Sequence, residues 1–298
     1  MTEPPPHTTA PTGARTGPRT GAGTSAGVSA GNGAGGDALG AVPDAHSEFR
    51  PLHVVARNFL VWRKLMFSSL VGNLVDPLIF LLGLGYGLGA FLPKIQGVPY
   101  LNFLAAGMLC DSTRNTASFE ALWSAYSRLA VQRTWEGILH APMTVRDVVL
   151  GEWLWAGACK ALLSGTAILV VMYALGVVHG LAPLAVLPVV MLIGLCFAGI
   201  ALVVTTLARS FDSFTYYFTL VITPMMFLSG VFFPRDSLPA VVQLVGRLLP
   251  LSHGVDLVRG ITLGRALEHP LLNVAVLLGY GLAGIALATR IAQRRLTK

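Results

Sequence analysis

The sequence predicts an all-α integral membrane protein with six transmembrane helices, an N-terminal amphipathic interface helix and a re-entrant outer helical hairpin between spans five and six. Three observations lead there. Of the 298 residues, 54% are hydrophobic and only 12% charged, and the mean hydropathy of +0.67 lies far from that of a soluble domain. Apolar runs of about 20 residues recur, enough to cross a hydrocarbon core of about 30 Å. Finally, the run ending at Phe233 is followed by Pro234, Arg235, Asp236, Ser237, Leu238 and Pro239, and then by a second apolar piece, residues 240–249, that is too short to cross and carries Gln243 and Arg247. Short apolar pieces flanked by proline and charge belong to re-entrant elements, whose backbone must be buried in protein or line a cavity.

The net charge of +7 does not indicate a nucleic-acid partner, because the arginines sit beside apolar runs and not in a basic patch of their own. Membrane orientation and anionic headgroups account for them. Cys110, Cys159 and Cys196 each lie inside an apolar run without metal-ligand spacing, so they read as packing residues. No metal or cofactor is expected.

Residues 1–47 are rich in Gly, Ala, Thr and Pro and lack the apolar core of a signal peptide, which predicts a disordered cytoplasmic tail ahead of a membrane domain at 48–298. Over 53–66 the apolar residues Val55, Phe59, Trp62 and Met66 recur at helical spacing, with Arg57, Arg63 and Lys64 off that stripe. This is a helix lying on the membrane surface. The first span covers 73–92. Its Asp76 costs about 3 kcal/mol at mid-membrane, offset by many Leu, Ile, Phe and Val residues that each return about 0.3 to 0.6 kcal/mol.

Residues 93–99 form an outer loop and 101–126 the second span. Asp111, Arg114, Asn115 and Ser118 fall at i, i+3, i+4 and i+7 on one face of it, and Glu120 follows. With Asp76, these residues read either as a substrate path or, for Asp111 and Arg114, as an ion pair that joins helices. Residues 127–147 interrupt the membrane, Thr144 with Asp147 signals a helix N-terminus, and the third span covers 148–175. Its Glu152, near the cytoplasmic end, is expected to meet headgroups. Spans four, five and six cover 184–207, 214–233 and 273–289. Basic residues at 57–64 and 290–298 place both termini in the cytoplasm.

No GxxxxGK[S/T] phosphate-binding loop exists, since none of the four lysines follows a glycine. His253 and Asp256 have no activated serine or cysteine signature beside them, so no catalytic residue is expected.

The stretch Phe227-Leu228-Ser229-Gly230-Val231-Phe232-Phe233-Pro234, with Leu238-Pro239 and Leu249-Pro250-Leu251-Ser252-His253 after it, resembles the signature of type-2 ABC exporter permeases. Within them it is most similar to the nodulation-type lipo-oligosaccharide exporter permeases and their drug-export relatives, from about residue 49 onward. The resemblance implies a permease in the cytoplasmic membrane that pairs with a second copy of itself and with separate ATP-binding subunits, moving a lipo-oligosaccharide or hydrophobic drug outward. It also implies that the surface helix with Arg57 and Arg63, and the segment with Arg133, Trp135 and Glu136, transmit ATP-driven motion. Phe233, Pro234, Pro239 and His253 would form an outer gate. Trp135 has a second reading, an aromatic in the headgroup layer. Two other functions fit the charges: a proton-coupled secondary transporter using Asp76, Glu120 and Glu152, or a membrane transferase acting on lipid-linked sugar.

Overall fold

In the computed structural model, residues 50–92, 94–267 and 269–296 are described, and the predicted tail lies outside them. The domain is helical apart from one small hairpin. Helix α1 (Arg50–Arg63) precedes α2 (Met66–Leu82), which a π-helical turn at Gly83–Gly87 and a 3₁₀ turn at Leu88–Ala90 extend. Strands β1 (Lys94–Ile95) and β2 (Val98–Pro99) pair antiparallel across Gln96 and Gly97, both at positive φ, where the sequence predicted only a loop.

Helix α3 (Tyr100–Phe119) continues through π-helical turns at Glu120–Ser124 and Ser127–Val131. It is buried along nearly its whole length, which explains how it tolerates Asp111 and Arg114. The short α4 (Thr134–Leu139) follows. Helix α5 (Val145–Leu154) starts on the expected signal: Thr144 Oγ1 accepts from the Asp147 amide at 3.2 Å, and Asp147 Oδ2 accepts from the Thr144 amide at 2.9 Å. A π-helical turn at Trp155–Lys160 joins α5 to α6 (Ala161–Ala174).

Helix α7 (Leu187–Leu207) is the packing centre. It crosses α12 (Pro270–Leu296) at Gly199, Gly281 and Gly284, so closely that a methyl group on Gly199 would meet the Gly281 carbonyl at 2.7 Å. At the other side Gly194 meets the Gly157 carbonyl at a distance that no side chain could fit. Small residues that bring backbones together are the usual means of packing membrane helices.

Among the described residues, four helical stretches are long and apolar enough to cross a membrane: Met66–Ala90, Val145–Ala174, Ala182–Leu207 and Pro270–Leu296. The first begins ahead of the predicted 73, because Met66 and Phe67 already continue the apolar run. The helix α8 (Asp212–Tyr217) runs through a π-helical turn at Phe218–Ile222 into α9 (Thr223–Leu228) and stops there, short of the predicted end at 233. Gly230 at φ +79° turns the chain, and Val231 and Phe232 become buried loop residues. Helices α10 (Ala240–Leu248) and α11 (Pro250–Thr262) meet at 87°. Pro250, which lacks an amide hydrogen, opens α11 at the bend.

Candidate functional site

The site begins with α1. Its predicted apolar stripe is not the face it buries: Val54 and Asn58 turn inward, while Phe59 is exposed. The cause is Gly151 on α5, which lets α1 approach until a methyl group there would meet Val54 Cβ at 2.5 Å and the Pro51 carbonyl at 2.7 Å. That close crossing carries Arg57 and Asn58 to Glu152.

Glu152 is 1% exposed, so headgroup contact is corrected to ion pairing within the protein. It accepts from Arg57 Nη2 at 3.2 Å, Asn58 Nδ2 at 3.0 Å, and Arg128 Nε and Nη2 at 2.9 and 2.6 Å. A buried carboxylate needs such compensation, because desolvation otherwise outweighs attraction. Arg128 also reaches Glu120 at 3.2 Å. Glu120 accepts further from Trp155 Nε1 at 2.9 Å and Ser124 Oγ at 3.1 Å, and Lys160 Nζ lies 3.7 Å away. The chain of charges therefore runs from α1 through α5 and the extension of α3 to the start of α6. Burial lowers the Arg57 pKa from its ordinary value, and the Glu152 charge opposes that shift.

This network walls a cavity of about 540 Å³, whose lining includes Trp62, Asn115, Glu120, Arg128, Trp155 and Lys160. A second cavity of about 500 Å³ shares Asn58, Ser124 and Arg128 with it and extends to Gln132 and Thr134. Volumes of this size suit a small molecule or the head of an amphipath.

Of the residues predicted for a path, Asn115 and Glu120 line the larger cavity. Asp111 and Arg114 form a buried ion pair instead, and Arg114 Nη1 donates to the Ile222 carbonyl at 2.9 Å, joining α3 to the helix before α9. Asp76 is exposed on α2. Of the residues predicted for coupling, Arg57 is tied to Glu152, and Arg63, Arg133 and Glu136 are exposed. Trp135 is 0% exposed, packed in the core rather than offered to a partner or to headgroups.

Phe233 and Pro234 are half-buried and Pro239 is exposed, close to a third cavity of about 270 Å³ that Pro234, Arg235 and Arg259 help to line. There Arg235 makes a double hydrogen bond to Asp256 at 2.8 and 2.6 Å, and Arg259 donates to the Gly230 and Val231 carbonyls at 2.6 and 3.1 Å. His253 bridges Asn273 Oδ1 at 2.7 Å and the Arg247 carbonyl at 2.9 Å. Among the described residues no cluster of His, Cys, Asp and Glu is arranged to hold a metal.

Sequence reasoning missed Lys160, Arg128 and Asn58 as site residues. A signal existed for Arg128, since Glu120, Ser124 and Arg128 stand at i, i+4 and i+8. Asn58 had none, because its importance arises from Gly151 on another helix.

Several helices of membrane length around buried charge describe a multi-pass membrane protein. The chain belongs to the ABC-2 type transporter family, whose model matches residues 52–263. It is similar to nodulation protein J of Rhizobium meliloti strain 1021, 47% identical over 240 residues that cover 80% of this chain and 91% of the relative. Nodulation protein J of Rhizobium leguminosarum bv. viciae is 46% identical over 247 residues, covering 83% and 95%. The inner membrane transport permease YadH of Escherichia coli K12 is more distant, 23% identical over 195 residues that cover 65% and 75%. Membership makes the chain a transport subunit of an ABC transporter, which implies an ATP-binding partner.

Proposed function

We propose that the chain is the permease of an ABC exporter that moves an amphipathic substrate, a lipo-oligosaccharide or a hydrophobic drug, outward across the cytoplasmic membrane. Two copies pair, and each binds a separate ATP-binding subunit. Six spans leave both termini in the cytoplasm: the four long apolar helices, the buried α3, and the helix from α8 to α9. The bent α10–α11 pair is the re-entrant hairpin of the outer side, with Phe233, Pro234, Pro239 and His253 at the gate.

One observation carries the mechanism: Glu152 is held at once by α1 and by the extension of α3, beside the cavity. A push on α1 or on the α3–α4 segment must move Glu152, and with it the cavity wall. The exposed Arg133 and Glu136 on that segment, with Arg63 on α1, are the docking points for the ATP-binding subunit, and the buried Trp135 holds α4 in place. Asp111 and Arg114 tie helices, while Asn115 and Glu120 belong to the path.

Affinity purification of the full chain from its own membranes tests this reading. A P-loop ATPase should be recovered in equal amount. A chain that exports substrate with no such partner refutes it.

A further inference from the structure

Lys160 stands in the middle of the membrane-length stretch Val145–Ala174. That stretch has the length and composition of a membrane span. An ammonium inside such a stretch is costly and marks a functional position unless it is fully paired. Lys160 is not fully paired: Glu120 is 3.7 Å away, Ser69 Oγ accepts at 3.0 Å, and the Trp62 ring centroid lies 5.3 Å off. Glu120 is meanwhile shared with Arg128, Trp155 and Ser124.

Among the described residues, Arg57, Arg128 and Lys160 of the network face only Glu120 and Glu152, an excess of one positive charge. Glu120 is the one acidic residue among those that line the larger cavity. Trp62 and Trp155 also line it. A surplus cation and the indole rings of Trp62 and Trp155 border one space. A ligand complementary to both would carry one anionic head on an apolar body.

We infer that this cavity binds the anionic head of an amphipathic molecule, a phosphate, sulfate or carboxylate attached to an apolar chain, with Lys160 as its anchoring cation. The inference rests on the exporter reading and narrows its substrate class. Either source of the head, a bilayer lipid or the exported compound, brings the same chemistry.

The test titrates dodecyl phosphate, dodecyl phosphocholine and inorganic phosphate into the full-length chain in a non-ionic detergent, read by tryptophan fluorescence and by calorimetry. Dodecyl phosphate should bind at least about tenfold more tightly than the zwitterion of the same chain length, and inorganic phosphate should not displace it. Lys160→Met should remove that preference while Lys160→Arg keeps it. Equal binding of the two dodecyl compounds by the wild-type chain overturns the inference, and this comparison stands even if Lys160→Met does not fold. Displacement by inorganic phosphate at equal concentration also overturns it, assigning the site to a free anion. Because no ATP is present, a failure here leaves the exporter reading intact, and recovery of the ATP-binding partner tests that reading separately.

Discussion

Arg128 grips Glu152 with two nitrogens, Nε at 2.9 Å and Nη2 at 2.6 Å, across 24 residues of sequence. The pair joins the extension of α3 to α5, and Arg57 adds α1 to the same carboxylate at 3.2 Å. Three elements thus share one buried anion.

Removing that anion strands Arg57 and leaves Arg128 with Glu120 alone. Glu152→Ala is expected to cost about 3 to 5 kcal/mol, the usual penalty for breaking a buried pair from one side. Glu152→Asp should recover part of it, since its carboxylate is one methylene short of reaching both arginines. Melting of the purified chain in detergent, followed by fluorescence, should rank wild type above Glu152→Asp and that above Glu152→Ala. Equal melting of all three would show that the network adds no stability.

At the crossing between α7 and the turn at Trp155–Lys160, Gly194 leaves no room for a methyl group against Gly157. Gly194→Ala should therefore separate these backbones and destabilise the domain by about 1 to 3 kcal/mol through overpacking. Gly279, with open space around its position, is the control. The same melting assay should leave Gly279→Ala close to wild type.

Trp135 and Glu136 should separate cleanly. With its ring fully buried, Trp135→Ala should cost about 3 to 5 kcal/mol as a cavity mutation and lower the yield of folded chain. Glu136→Ala, at an exposed position, should fold normally and weaken association with the ATP-binding subunit. Co-purification from membranes decides: wild-type recovery of the partner with Glu136→Ala removes α4 from the docking surface.

Topology is open to labelling in a background lacking Cys110, Cys159 and Cys196. A cysteine at Gln96 should react from outside intact cells and one at Glu136 only after permeabilisation. The reverse pattern would invert the orientation on which the mechanism rests.

Much of the fold was legible because apolar runs of membrane length have few alternatives, and because Thr144 with Asp147 is a local signal that needs no tertiary context. The N-terminal helix was legible as an amphipathic helix, with Phe59 on a stripe that the structure leaves exposed. The face that packs on the protein was not legible, since Gly151 and Glu152 on a helix about 95 residues away select Asn58 and Arg57. Trp135 was misplaced for a related reason: a tryptophan among charges in a short segment looks like a surface anchor, and only the packing of α4 shows it to be core. Of the paired charges of the cavity, only the Glu120, Ser124 and Arg128 spacing was a local signal; the pairings of Arg128 with Glu152 and of Lys160 with Glu120 arise across separate elements.

The central claim is that ATP use by a partner drives export through this domain. The most direct measurement reconstitutes the chain with its ATP-binding subunit in proteoliposomes and follows transport of a fluorescent short-chain lipo-oligosaccharide. We predict transport that requires ATP, persists when an ionophore collapses the pH gradient, and falls sharply in Glu152→Gln while the partner still binds. Transport driven by an imposed pH gradient without ATP would contradict the account and assign Glu120 and Glu152 to a proton path instead.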